Sequence, residues 1–173
     1  MPRVAGFDVG GTNARLTVFD AQSLTPTGEV RRQRIRGVED PGALAEIMAK
    51  MLDEASADEE VQAVGVGLAA QLNKGGTRVV NAPNLGWSDV DFASLLQRQA
   101  AFQSMTPRIV NDLNALAWGE RVGGAVQGVD DVLAVYVGTG VGGALICDGQ
   151  LVEGHGGKAG EIGHVKVVVG GRF

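Results

Sequence analysis

Phe7-Asp8-Val9-Gly10-Gly11-Thr12-Asn13-Ala14-Arg15 joins two apolar runs, residues 4–9 and 14–20, through a pair of glycines. The runs have strand length and the glycines sit between them, so the stretch predicts strand, tight turn and returning strand. Glycine tolerates the backbone angles of such a turn, which leaves N–H groups free to point at an anion. Thr12 adds a hydroxyl donor and Arg15 a guanidinium suited to phosphate. Asp8, at the end of its strand, is a carboxylate of the kind that holds magnesium through water. Gly10, Gly11, Thr12, Asn13 and Arg15 are therefore candidate phosphate-binding residues. An ordinary hairpin is the competing reading, and the flanking Asp, Thr and Arg weigh against it. A Walker loop is excluded, because there is no G-K-[ST] and a strand follows where that loop needs a helix.

The same pattern returns late in the chain. Residues 132–137 read as a strand, Gly138-Thr139-Gly140-Val141-Gly142-Gly143 as a glycine turn, and 144–147 as a second strand. Asp148-Gly149 is a hairpin signal leading into 150–152. The glycines match G-x-G-x-x-G, but a dinucleotide fold needs a helix directly after them, and here a strand and a turn follow. A second phosphate turn built on Gly138, Thr139, Gly140 and Gly142 accounts for both glycine runs together. The repeat implies an internal duplication: two α/β halves, each a sheet flanked by helices, with a cleft between them. A single sheet carrying two unrelated glycine turns is the plainer alternative.

Between the repeats, 29–35 reads as an edge strand, since Arg31, Arg32 and Arg34 suit a strand with one side in water. Leu44, Ile47, Met48, Met51 and Leu52 recur at helical spacing after Pro41, which predicts a helix over 41–56. Residues 61–68 are apolar enough to be a strand buried on both faces. Lys74-Gly75-Gly76 marks a hairpin within 72–80. Ser88 is placed as the cap of a helix running to residue 101, 108–110 as a strand and 113–123 as a helix.

Composition narrows the function. The 173 residues carry a net charge of −5 and are 45% hydrophobic, enough for one domain or one and part of another. No basic run exceeds Arg31-Arg32, so there is no electrostatic footprint for nucleic acid. No stretch of about 18 apolar residues predicts a membrane span, and residues 1–4 carry no signal-peptide pattern. The single cysteine, Cys147, excludes an internal disulfide framework and suits a reducing cytoplasm; in a strand it reads as a small buried apolar residue.

Two further runs carry chemistry. In Val110-Asn111-Asp112-Leu113 a strand end meets a helix start. A carboxylate there can accept the proton of an attacking hydroxyl while the neighbouring amide holds that hydroxyl in place. Asp112 also suits a helix cap, and both roles stay open. In Gly160-Glu161-Ile162-Gly163-His164, Glu161 and His164 are three apart and reach one ligand from one turn, bonding the hydroxyls of a polyhydroxylated molecule. As metal ligands, two do not make a site. His155 reads as structural or solvated.

Taken in this order, these runs resemble the ROK family of bacterial sugar kinases and repressors, its glucokinases above all. The family's first phosphate motif is similar to Asp8–Arg15 and its second to the glycine run at 138–143. Its substrate strand is similar to 64–68, and its Asn-Leu-Trp segment to Asn81-Ala82-Pro83-Asn84-Leu85-Gly86-Trp87, which adds Asn84 to the sugar contacts. Asn111-Asp112 matches the sugar-binding Asn and the catalytic Asp, and Glu161 and His164 match its sugar-contacting pair. The resemblance implies an actin-like ATPase fold of the ribonuclease H type, with a complete first lobe over 1–112 and the start of a second over 113–173. It implies transfer of the ATP γ-phosphate, with magnesium, to the 6-hydroxyl of a hexose, glucose first, in the cytoplasm, with Asp112 as base. Polyphosphate as donor and a homodimer are both left open. A sugar-responsive regulator and a non-catalytic sugar- or nucleotide-binding module are the alternatives.

The chain departs from the pattern at Ala69-Ala70, where many members have Pro-Gly. The family's zinc cysteines, in a C-x-C-G-x-x-G-C-x-E segment, belong just past Phe173. His164 is therefore a zinc ligand only where those cysteines follow. The 173 residues alone are expected to be inactive or weak as a kinase and prone to associate.

Overall fold

The computed structural model describes residues 2–56, 60–138, 140–166 and 168. The described chain divides into two units, Met1–Asp112 and Leu113–Phe173. In the first unit the elements are β1 (Arg3–Val9), β2 (Asn13–Asp20), β3 (Arg31–Arg34), α1 (Pro41–Ala55), β4 (Val61–Leu68), β5 (Gln71–Leu72), β6 (Val79–Ala82), β7 (Trp87–Val90), α2 (Phe92–Gln97) and β8 (Arg108–Asn111). Helix α3 (Asp112–Gly123) follows at once. The second unit then has β9 (Val132–Val137), β10 (Val141–Cys147) and β11 (Gln150–Leu151). None of the described helices is long and apolar enough to cross a membrane.

The first sheet has five strands in the order β3-β2-β1-β4-β8. β1 pairs antiparallel with β2 and parallel with β4, and β4 pairs parallel with β8. Side chains alternate along a strand, so the register puts Phe7, Leu16 and Val66 on one face with Val9, Ala14 and Leu68. That face is the core. Helices α1 and α2 both lie on it and touch each other.

The sequence places 61–68 as buried on both faces, and the structure corrects this: Ala63 and Gly65 are exposed. The reason is that both crossover helices land on one side of the sheet, leaving Gly6, Ala63, Gly65 and Asp8 on the other.

Helix α1 begins as its sequence predicts. The Asp40 carboxylate accepts a hydrogen bond from the Ala43 N–H at 2.7 Å, and Pro41 occupies the first turn, where it lacks nothing the helix needs. Replacing Asp40 with Ala is expected to cost about 1 kcal/mol of stability, read as a lower urea midpoint at unchanged slope.

The expectation for 88–101 needs correction. Ser88 lies in β7, and the helix starts only at Phe92, capped by Asp91, whose carboxylate accepts from the Ser94 N–H at 3.1 Å and the Ser94 hydroxyl at 2.9 Å. Those two bonds hold the Asp91 carboxyl below its ordinary 3.8. A depressed carboxylate stabilises the fold above its unfolded value, and that contribution is lost as pH falls through the folded one. The strand wins because it pairs with β6 and buries Trp87 against Phe92, ring centroids 5.0 Å apart. Trp87 also donates its Nε1–H to the Glu39 carbonyl at 2.7 Å. Phe92 is fully buried, so Phe92→Ala is expected to cost about 3–5 kcal/mol, measured by urea unfolding.

In the second unit β9, β10 and β11 form an antiparallel sheet in the order β11-β10-β9. The turn into β11 uses Asp148 and Gly149, both at positive φ (49° and 70°), as a two-residue hairpin requires. The order and direction repeat those of β3-β2-β1, with a glycine turn between the first two strands in each case. Among the described residues β9 pairs only with β10, and Leu133, Val135 and Val137 on one of its faces are exposed. Cys147 closes β10 and is exposed and free, which overturns its placing as a buried residue: at the strand's last position it faces solvent beside the turn. His155 is exposed.

Candidate functional site

In open sheets with parallel strands, ligands gather beyond the carboxyl ends of those strands. Here β1, β4 and β8 run parallel, and their carboxyl ends carry Asp8 and the Gly10-Gly11-Thr12 turn, then Ala69-Ala70, then Asn111-Asp112. These ends are tied together. The Ala69 N–H donates to the Val9 carbonyl at 2.9 Å, and the Asn111 amide donates to the Ala70 carbonyl at 3.2 Å.

The first glycine turn closes on itself through the Gly10 N–H, which donates to the Asn13 carbonyl at 3.1 Å. The N–H groups of Gly11 and Thr12 have no acceptor among the described residues. Those two donors at the tip of a turn are what an anion needs. Thr12 is exposed, and its carbonyl accepts from the Ile35 N–H at 2.9 Å, which anchors the turn to the end of β3. Arg15 Nη1 lies 2.7 Å from Asp8 Oδ2, with both side chains about half exposed. An exposed pair of this kind is worth about 0–1 kcal/mol, so a phosphate or cation displaces it at little cost.

Asn84 reaches the same place from far along the chain. It sits in a 3₁₀ turn, Pro83–Leu85, that Gly86 ends at φ 72°. Ala82, Leu85 and Trp87 are buried around it while Asn84 is exposed. A Cβ on Gly11 would lie 2.8 Å from the Asn84 carbonyl oxygen, so Gly11 is also required for Asn84 to lie against the turn. Asp112 is the first residue of α3 and half-buried, where the helix N-terminus favours a negative charge.

The second unit carries the other candidates. Its turn is tighter than the sequence suggests: the Gly138 N–H donates to the Gly140 carbonyl at 2.9 Å, and β10 starts at Val141, so Gly142 and Gly143 are strand residues. A Cβ on Gly142 would lie 2.3 Å from Leu113 Cδ1, and one on Gly163 2.0 Å from the Val141 carbonyl oxygen. Close packing of α3 and of the 160–164 segment on β10 therefore accounts for those two glycines. Thr139 lies outside the described residues. Glu161 and His164 meet each other: His164 Nδ1 is 3.2 Å from Glu161 Oε2, across the 3₁₀ turn Ile162–His164.

Among the described residues no group of three or more His, Cys, Asp and Glu is arranged to hold a metal ion. Magnesium is commonly held by one or two carboxylates plus substrate phosphates, and Asp8 beside the turn fits that demand. Zinc needs four ligands at a structural site, and His164 with the neighbouring Glu161 does not supply them.

The sequence alone does not show which residues flank the first turn across the sheet. Register brings Arg32 opposite Arg15 and Arg34 opposite Asn13, and Arg32 Nε donates to Asn13 Oδ1 at 3.0 Å. The only signal for it is the arginine content of β3.

A model of the ROK family matches residues 4–172. The glucokinase of Streptomyces coelicolor is 32% identical over 167 residues, 96% of this chain and 50% of that protein. The xylose repressor of Caldicellulosiruptor bescii is 28% identical over 151 residues, 87% of this chain and 36% of that protein. Among solved structures, a ROK family glucokinase from Streptomyces griseus, in complex with glucose and AMPPNP, matches with a TM-score of 0.81 at 30% identity, over 96% of this chain and 51% of that one. The chain spans about half the length of the curated relatives it matches. The fold is that of the actin-like ATPases.

Proposed function

The chain belongs to the ROK family, and from that premise we propose that it works as part of a sugar kinase, moving the γ-phosphoryl group of ATP to the 6-hydroxyl of a hexose, with glucose the first choice. One observation carries this reading beyond family membership, which covers repressors as well as kinases. The free N–H groups of Gly11 and Thr12, the side chain of Asn84 and the pair Asn111-Asp112 come from distant parts of the sequence to the same strand ends of one sheet.

In this reading Asp112 accepts the proton of the attacking hydroxyl and Asn111 holds that hydroxyl in line. Asn84, Glu161 and His164 bond other ring hydroxyls. The N–H groups of Gly11 and Thr12 hold phosphate oxygens, with Gly10 and Asn13 closing the turn that presents them, and Gly138, Thr139, Gly140 and Gly142 are read as the corresponding phosphate segment of the second unit. Arg15, released from Asp8, adds charge to the transferring group. Magnesium, with Asp8 as its protein carboxylate, supplies neutralisation of the phosphate charge. Partners are then a hexose and ATP, and the compartment is a reducing cytoplasm, in which the exposed Cys147 stays a thiol.

The test is a coupled assay with ATP over glucose, mannose, fructose and N-acetylmannosamine, using the protein at its natural length. Glucose is expected to give the highest kcat/KM. Phosphorylation of none of the four sugars removes the kinase reading. In a parallel assay the 173 residues alone are expected to turn over weakly or not at all, since β9 has an unpaired edge and an exposed apolar face among the described residues.

A further inference from the structure

The ladder between β2 and the chain leading into β3 is out of step. Leu16 stands opposite Arg31, and three residues further along β2 Phe19 stands opposite Pro26. Two residues of β2, Thr17 and Val18, therefore face four, 27–30. Extra residues on one strand bow it away from its partner. The bowed segment encloses a cavity of about 390 Å³ against β2 and the end of α1. Leu16 and Val18, both buried, and Ala55 of α1 give it an apolar floor. Arg3, Gly28, Glu29 and Arg31 also line it.

The shifted register leaves a donor without its ladder partner. Val18 turns its backbone toward the bowed segment, since its carbonyl accepts from the Thr27 N–H at 2.9 Å and from the Thr27 hydroxyl at 3.2 Å. In an antiparallel ladder the N–H of the same residue points to the same side. That N–H has no acceptor among the described residues, although Val18 is only 9% exposed. A buried N–H is costly unless something accepts from it. A cation lies beside it in the lining. Arg31 meets Glu54 at 4.0 Å, a long and exposed pair that holds the guanidinium weakly. Glu29, the acidic residue of the lining, is exposed. A donor and cations around an apolar floor fit a carboxylate carried on an apolar body.

We propose that this cavity binds a small organic carboxylate, its oxygens taking the Val18 N–H and the Arg31 guanidinium and its apolar body lying on Leu16, Val18 and Ala55. The volume falls within the range of about 300–1,000 Å³ in which small-molecule sites are found. Arg3 opens β1, and the glycine turn follows its last residue, Val9. At about 3.3 Å per residue, roughly 20 Å of strand separates the two places. The site is thus distinct from the strand ends that carry Asp8 and Asp112, and it does not rest on the kinase reading.

The test is calorimetric titration of the protein at its natural length with hexanoate and benzoate, with hexanamide and benzamide as uncharged counterparts and inorganic phosphate as a compact anion. Two substitutions accompany the parent. Arg31→Met keeps the apolar stem and removes the charge. Gly28→Leu fills the space, since a Cβ on Gly28 would meet nothing within 4 Å. Both positions are exposed, and an unchanged urea midpoint verifies that the fold is kept. At least one of the two carboxylates is expected to bind saturably, about tenfold or more tightly than its amide, and about tenfold more weakly in each variant. Hydrogen exchange at the Val18 amide is expected to slow when that carboxylate is bound. Failure of the parent to bind either carboxylate overturns the proposal, as does unchanged affinity in Arg31→Met or unchanged exchange at Val18. An amide bound as tightly as its acid makes the cavity merely apolar and overturns the carboxylate assignment. Phosphate bound as tightly overturns it too, because the apolar floor then contributes nothing. Loss of carboxylate binding in saturating glucose moves the ligand to the sugar site and overturns the placement. Carboxylate binding that needs Arg31, in a protein unable to phosphorylate any sugar, sustains this proposal and sinks the kinase reading alone.

Discussion

Asp112→Asn is expected to lower kcat for sugar phosphorylation by about 10²–10⁴-fold, the usual contribution of a positioned general base, with the KM for sugar little changed. The amide keeps the shape and the hydrogen-bonding reach of the carboxylate but cannot take the hydroxyl's proton. Its structural cost is small. Asp112 opens α3, and loss of a charge in a first helical turn costs about 0.3–1 kcal/mol. The experiment therefore separates two roles that the sequence left joined. A cap alone predicts a modest drop in urea midpoint with near-normal turnover. A base predicts near-normal stability with turnover almost gone. Retained kcat in a folded Asp112→Asn protein would falsify the assignment.

Gly76→Ala is expected to cost about 2–4 kcal/mol, from a non-glycine residue forced to positive φ and an added contact in a tight space. Gly76 is buried at φ 67°, its N–H donates to the Asn73 carbonyl at 3.0 Å, and a Cβ there would lie 2.1 Å from the Ile109 carbonyl oxygen. The β5–β6 hairpin is thus seated on β8 two residues before Asn111. The substitution pushes the hairpin off that strand and with it the Ala70 carbonyl that accepts from the Asn111 amide. Sugar affinity is expected to fall together with stability. Gly75→Ala is the control: its φ is 95° and nothing lies within 4 Å of the added methyl, so only backbone strain of about 1–2 kcal/mol is lost. Urea midpoints for the two proteins decide it, and equal losses would show that the Ile109 contact contributes nothing.

The legible parts of this protein share a cause. Strand, glycine turn and strand at 4–20 and 132–147 are local patterns, written in the alternation of apolar residues and in where glycine interrupts it, and the structure has strands there. The helix over 41–56 is local too, because Asp40 and Pro41 mark its start and Leu44, Met48, Met51 and Leu52 mark its buried face. At 88–101 the structure differs from the expected helix for a non-local reason. Ser88 has the chemistry of a cap, but β6 offered a strand partner and the Trp87–Phe92 packing fixed the outcome. Cys147 differs from its expectation for a similar reason: being in a strand does not say whether the residue lies under a helix or at the strand's exposed end.

By itself, then, the sequence determined the two glycine turns, the Asn111-Asp112 junction of strand and helix, and the Glu161–His164 spacing, since each is set by residues within a few positions of one another. Tertiary structure alone decided that Asn84 lies against Gly11, that Gly76 is seated on Ile109, and that Arg32 stands opposite Arg15. Those facts depend on which strands pair and in what register, and a shift of one residue would turn Arg32 and Arg34 to the face beneath α1. Register is fixed by burying Phe7, Ala14, Leu16 and Val66 on one face of the sheet, and the arginines on the other face go where that burial sends them.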